Sequence, residues 1–435
     1  MARTNTLGNF LTDVANAIRT KGGTSEPIQA SSFDTAIANL PSGGAVEVEE
    51  KDVNFFDYDG TIVYSYTKAE FLALESMPEN PTHDGLTSQG WNWDLTEAKA
   101  HVTSLNKLDI GQIYITDDGK TRIYIDLKDP NRLSPYLGFA INGTAEVDWG
   151  DGNTQSITSN SETTAVFTQH TYSSVGKYVI AIASSKQIFF PTSSGSSILT
   201  LQGKSIVYED TYENAIYKFE SGSNFIRLNY NVFVRCRMIK SMTFHKNVAN
   251  TINDGSIFQG CENLRYITIP PSMKNITSAE FRETGLINIS LPNHVNLEYA
   301  MQAFYQCKRL RRICLTDKGF APNSIFYQCT ALTELIAPPF VNVYNSAFRQ
   351  ASSLSYIKLD PTTTLIQSQA FQMCCSILML DCRDFTSVPT LQQTNVFNNY
   401  PPDFKIVVPD ALYEEWISAN AWSAFSSIIF KASDI

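Results

Sequence analysis

Between Phe233 and Cys382 the apolar positions follow one phrase, F-x-x-C-x-x-L-x-x-I, seven times over. Clear copies are Phe258/Cys261/Leu264/Ile267 and Phe304/Cys307/Leu310/Ile313. Phe326/Cys329/Leu332/Leu335, Phe348/Ala351/Leu354/Ile357 and Phe371/Cys374/Ile377/Leu380 follow. Phe233/Cys236/Ile239/Met242 is looser, and Phe281/Leu286/Ile289 is one residue short. From Phe258 to Phe371 the phenylalanines stand 23, 23, 22, 22 and 23 residues apart. A fixed period of this length predicts a solenoid, because one copy cannot bury its apolar side without a neighbour. Each copy also carries L-x-x-I-x-I, which alternates as a strand does. Pro270 and Pro292 follow such strands and end the pairing.

Upstream the pattern changes three times. In residues 1–42, Leu7, Phe10, Leu11, Val14 and Ile18 keep helical spacing up to Gly22-Gly23. A second short helix carries Phe33, Ile37 and Leu40. Two helices of this size bury too little to fold alone, so self-association or docking is expected of them. Residues 45–130 read as an α+β unit. Strands over Val53–Phe56 and Thr61–Tyr66 flank an Asp57–Gly60 turn, with helices over Ala69–Met77 and Leu95–Leu105, the second capped by Asp94. Gln112–Ile115 and Arg122–Ile125 alternate about Asp117–Lys120, a hairpin signal. Residues 131–225 turn all-β, and 401–435 follow the solenoid (226–400) as a cap, which the last repeat requires. The expected whole is multidomain and β-rich.

The chain has 435 residues and a net charge of −10, which argues against nucleic acid as the main partner. No run approaches the roughly 20 apolar residues of a membrane helix. Met1–Asn5 lead into an amphipathic stretch, so export by a signal peptide is not expected. Of the eight cysteines, Cys236, Cys261, Cys307, Cys329 and Cys374 share one slot of the repeat. Ala351 fills it once, so the slot reads as small and buried, and neither a metal nor a cofactor is implied. Val53–Thr61 is similar to the h-h-h-D-x-D-G-T motif of haloacid-dehalogenase phosphatases, which would make Asp57 a nucleophile. The doubly wound context is missing, and a surface turn is the favoured reading. No enzyme activity is expected. The histidines are scattered, His170 reads as structural, and Trp91 and Trp93 read as core.

Three resemblances bear on function. Trp149-Gly150-Asp151-Gly152 followed by His170-Thr171-Tyr172 and Gly176-Lys177-Tyr178 resembles a PKD-type immunoglobulin-like sandwich; for Asp148 and Asp151 a turn pair is the favoured reading over a calcium role. The repeat phrase resembles the BspA-like leucine-rich repeats of bacterial surface and phage proteins. Phe10–Arg19, Asp57–Thr61, Gly85–Trp93 and Ile113–Arg122 are similar to tail proteins of Firmicutes phages. Together they imply a virion tail fibre, assembled in the host cytoplasm and homotrimeric. Its N-terminus would join other tail or baseplate proteins, and its repeats would meet a host surface glycan or protein. The same repeats would also suit a bacterial surface adhesin or, less well, a glycan-cleaving tailspike.

Within L-x-x-I-x-I the residue before each core isoleucine should face out. That gives one outward row, Tyr266, Asn288, Arg312, Glu334, Tyr356 and Met379, and a second with Thr268, Ser290, Cys314, Ile336, Lys358 and Asp381. Tyr266, Asn288, Arg312, Glu334, Tyr356, Lys358 and Met379 are the candidate receptor-binding residues. Loops at 318–323 and 390–402 are the alternative.

Overall fold

A computed structural model describes residues 48–190, 199–200, 215–250, 255–315, 319–336 and 340–435. The expected N-terminal helices lie outside the described residues. Contacts divide the chain into residues 1–50 and 51–435, and the second is one compact unit.

The α+β part begins with β1 (Val53–Phe56) and β2 (Ile62–Tyr66), joined by the expected turn, in which Gly60 N–H donates to Asp57 O at 3.0 Å. The helix expected over Ala69–Met77 spans only Lys68–Leu72, started by a capping box between Thr67 and Glu70. After β3 (Leu86–Trp91), the second helix is Leu95–Leu105, and Asp94 caps it as expected. β4 (Leu108–Thr116) lies between β1, parallel, and β3, antiparallel. The sheet order is β2-β1-β4-β3. One face of this sheet makes a core of its own with Phe55, Phe71, Trp91, Val102 and Ile110.

The hairpin expected after β4 does not form. β5 (Thr121–Leu127) leaves the turn and joins a second sheet, pairing with β8 (Gly176–Ala183) and β11 (Ile216–Glu220). The turn instead packs against residues 221–223, where Ser223 N–H donates to Gly119 O at 3.1 Å. A Cβ on Gly222 would lie 2.2 Å from that same oxygen, so only glycine allows the approach. Alternation about a turn cannot tell a hairpin from a crossover between sheets.

The second sheet has eight strands, with β10-β6-β8-β5-β11-β12 as its main path. β6 (Tyr136–Asp148) pairs along its length with β7 (Thr154–Gln169). Its other edge meets β10 (Leu199–Thr200), β9 (Ile188–Phe189) and β8 in turn. The Trp149 corner is a hydrogen-bonded turn at the end of β6. His170 Nε2 lies 2.7 Å from Asp151 Oδ2, its ring stacks on Trp149 at 4.8 Å, and Tyr172 Oη donates to Trp149 O. Asp148 and Asp151 carboxylates accept from the N–H groups of Gly150 and Asn153. β11 also pairs in parallel with β12 (Ser241–Thr243), so it is the seam between sheet and solenoid. One continuous apolar core runs from Ile123 to Ile429.

The solenoid is built from what each slot of the phrase does. The phenylalanine rings stack face to face from Phe233 through Phe258, Phe281, Phe304, Phe326, Phe348 and Phe371 to Phe397, with centroids 5.3–5.9 Å apart. The thiols of Cys261, Cys307, Cys329 and Cys374 each donate to the carbonyl of a phenylalanine in the preceding copy, at 2.9–3.2 Å. In the short copy Thr284 holds this slot, with Oγ1 3.2 Å from Cys307 Sγ. Burial pushes the Cys307 and Cys374 thiols up to about 12, which makes them inert fillers. Of the eight cysteines, only Cys375 is exposed. Parallel strands at 356–358, 379–381, 405–408 and 429–431 continue the outer ladder into the cap. There Trp416 and Trp422 are fully buried against each other.

Candidate functional site

The outward row leaves the solenoid core as alternation requires, but its first half does not face water. Tyr266 is 3% exposed and Arg312 7%. The uncommitted face of the α+β sheet lies over them. Alternation along β1 and β4 sends Val53, Phe55, Leu108 and Ile110 to the unit's own core, and Asn54, Phe56, Asp109 and Gly111 to the solenoid.

The joint is polar at its centre. Arg312 Nε and Nη2 donate to Asp109 Oδ2 and Oδ1 at 2.8 and 2.7 Å, a bidentate pair whose carboxylate is 1% exposed. Phe56 stacks on Tyr266 at 5.1 Å. The Tyr266 hydroxyl lies 2.6 Å from Ser290 Oγ and 3.1 Å from Thr268 Oγ1. Asn92 Nδ2 donates to the carbonyls of Ile269 and Ser290, and Trp93 Nε1 to that of Leu291. At the rim, Lys107 pairs with Glu334 and Gln89 accepts from Lys246 N–H. Backbone approaches so closely that a Cβ on Gly111 would sit 2.2 Å from Thr268 Oγ1. The expectation that Tyr266 and Arg312 present a receptor-facing surface is therefore corrected: they hold a neighbouring part of the same chain. Asn288 is half-buried, and Glu334 is partly engaged.

Past Glu334 the face opens. Tyr356 is 47% exposed, Lys358 is exposed and Met379 is half-buried. Leu378, missed by the strand pattern because it precedes the strand, is 53% exposed. The register sets Tyr356 beside Met379 and Met379 beside Lys405. Beneath them Asp381 is 1% exposed. It accepts from Tyr356 Oη at 2.7 Å and from Arg383 Nε and Nη2 at 2.9 and 2.6 Å. Burial works to raise its pKa, but the Arg383 guanidinium and the Tyr356 hydroxyl outweigh it and hold the carboxyl at about 2. Burial and the Asp381 carboxylate push the Tyr356 phenol up to about 12, so the ring stays neutral. Lys358 pairs with Asp384 at 2.7 Å, and Lys405 Nζ lies 5.4 Å from the Phe430 ring centre. The open face thus offers an aromatic ring, two flexible apolar side chains and salt-bridged charges. Such a surface can bind.

The phosphatase-like motif is a turn, though not a surface one at its first residue. Asp57 is 6% exposed, 2.7 Å from His83 Nε2, and accepts from Tyr58 N–H, while Asp59 accepts from Thr61 N–H. Among the described residues no group of three or more His, Cys, Asp or Glu is placed to hold a metal.

Residues 204–333 and 320–412 match the BspA type leucine rich repeat region, in six copies, so this part of the chain carries such repeats. Three chains of solved structures match. One is a leucine-rich repeat protein from Bacteroides ovatus, 17% identical over 48% of this chain, with a TM-score of 0.33. This chain spans 66% of that protein's length. No curated protein matches.

Proposed function

We propose that this chain is a recognition protein without catalytic activity, a virion tail-fibre subunit that meets a host cell-surface glycan or protein through the open end of its repeat face. The observation that carries the reading is the uncovered patch formed by Tyr356, Lys358, Leu378 and Met379. Tyrosine and methionine are enriched where proteins bind, and Tyr266 and Arg312 of the outward row are already occupied. The tail assignment rests on the phage-like segments of residues 1–130. On this reading residues 1–42 join the tail and drive trimer formation, and the Trp149 corner belongs to a PKD-like spacer.

Substituting Tyr356, Lys358 and Met379 together by Ala tests the site. Host-cell binding should fall at least about tenfold, roughly 1.4 kcal/mol, in a variant that still unfolds cooperatively, although loss of the Tyr356 hydroxyl from Asp381 lowers its Tm. A folded triple variant that binds like the wild type would sink the assignment. A bacterial surface adhesin is the second reading, favoured by the repeats alone. Mass spectrometry of purified particles separates the two, since a tail subunit must be found in them.

A further inference from the structure

The short copy of the repeat leaves a hole. Phe258 and Leu264 are six positions apart, as are Phe304 and Leu310, but Phe281 and Leu286 are five apart. The neighbouring copies use two residues to turn after the cysteine slot, Glu262-Asn263 and Lys308-Arg309, whereas the short copy has only Gly285. Gly285 N–H bonds to Cys261 O at 3.1 Å, so the shortened turn lies back against the preceding copy. A Cβ there would meet Glu262 O at 2.0 Å, which only glycine avoids. The result is a notch of about 440 Å³ between two projecting turns.

Its charges are unbalanced. Both acidic side chains on its wall are paired elsewhere, Glu262 with Arg237 at 3.1 Å and Glu283 with Arg282 at 3.0 Å. Arg265 forms the floor, its Nη1 donating to the carbonyls of Glu262 and Gly285 at 2.7 and 3.1 Å. Lys308 and Arg309 are exposed, and among the described residues neither has a carboxylate partner. Burial and the nearby Arg309 together lower the pKa of Arg265, as expected where cations crowd without an anion between them. Asn263 and Gln306 stand at the same wall; Asn263 Nδ2 donates to Arg237 O and Gln306 Nε2 to Gln328 Oε1, which leaves one N–H on each amide.

We propose that this notch binds a sugar carrying one anionic group, a carboxylate or a phosphate. Arg309 and Lys308 would take the anion, Arg265 the adjacent oxygens, and the two amides the hydroxyls. The site uses turn residues rather than the strand face, so it goes beyond the reading above and stands or falls separately.

Ligand-observed NMR on the full chain tests it, with glucuronate, glucose 6-phosphate, glucose and inorganic phosphate as probes. At least one charged sugar should bind with a Kd of about 1 mM or tighter, and more weakly as salt is added. Which one binds tells carboxylate from phosphate. The double variant Lys308→Ala/Arg309→Ala should weaken binding at least about tenfold, roughly 1.4 kcal/mol, without altering Tm, since both side chains are exposed. Absence of charged-sugar binding overturns the proposal. So does unchanged binding by the variant, or binding of glucose or inorganic phosphate as tight as that of the charged sugars.

Discussion

The two halves of the outward strand face are made from the same phrase and differ in what lies over them. Around Tyr266 and Arg312 the face is sealed by the α+β sheet, and its polar groups meet partners in that sheet or in the strands themselves. Around Tyr356 and Met379 it is open, and its charges meet partners from adjacent turns, Arg383 and Asp384. Repetition therefore fixes the direction in which a side chain points, but not whether it meets water. That second property is set by a chain segment some two hundred residues away.

Four changes break or sharpen this contrast. Phe304→Ala removes a ring from the stack that both halves share. It should cost about 4 kcal/mol and lower the denaturation midpoint of the whole unit. Arg312→Ala strikes only the sealed half. It leaves the Asp109 carboxylate buried without its guanidinium and should cost about 3 kcal/mol in equilibrium unfolding. Adding Asp109→Ala should recover much of that loss, because the unpaired charge is then gone. Gly111→Ala pushes a methyl group into Thr268 and Tyr266. A cost of about 2 kcal/mol is expected, with faster hydrogen exchange at β4 and at residues 266–291 but not at 356–381.

The last change belongs to the open half and to acid. The Asp381 carboxyl titrates at about 2 in the folded chain, below the ~3.9 of an unfolded one. Its contribution is complete above about pH 4 and is lost as pH falls through about 2. The Tm gap between wild type and Asp381→Asn should be full at pH 6 and close on acidification. A gap independent of pH would mean that Arg383 and Tyr356 do not hold the carboxylate.

The solenoid was legible because every copy repeats the same demand. A phenylalanine every 22 or 23 residues and a small residue three positions later have no other use than stacking. Helix Leu95–Leu105, β1 and the Trp149 corner were legible from caps and turn residues. The joint was not, because nothing local in Arg312 names Asp109. Tyrosine and arginine also suit a receptor face and an internal seam alike. One signal was present: Asn54 and Asp109 interrupt otherwise apolar strands, and Gly111 stands in β4 with no turn to make. Polar residues at alternate positions of a central strand mark a face that will be covered by something polar. The crossover after β4 was hidden for a related reason, since the turn chemistry is the same whether the next strand pairs back or leaves.

The clamp between Asp109 and Arg312 also has a meaning in time. The two residues are 203 positions apart. At a synthesis rate of about 5–20 residues per second, the carboxylate emerges roughly 10–40 s before its guanidinium. During that interval Phe56, Trp93 and Asp109 wait on a bare surface, and contacts of such long sequence separation form late. The N-terminal sheet can close over the repeats only once the copies that carry Tyr266 and Arg312 have stacked. A truncated chain ending before Arg312 would keep that surface bare, a distinction between finished and unfinished protein written into the order of the sequence.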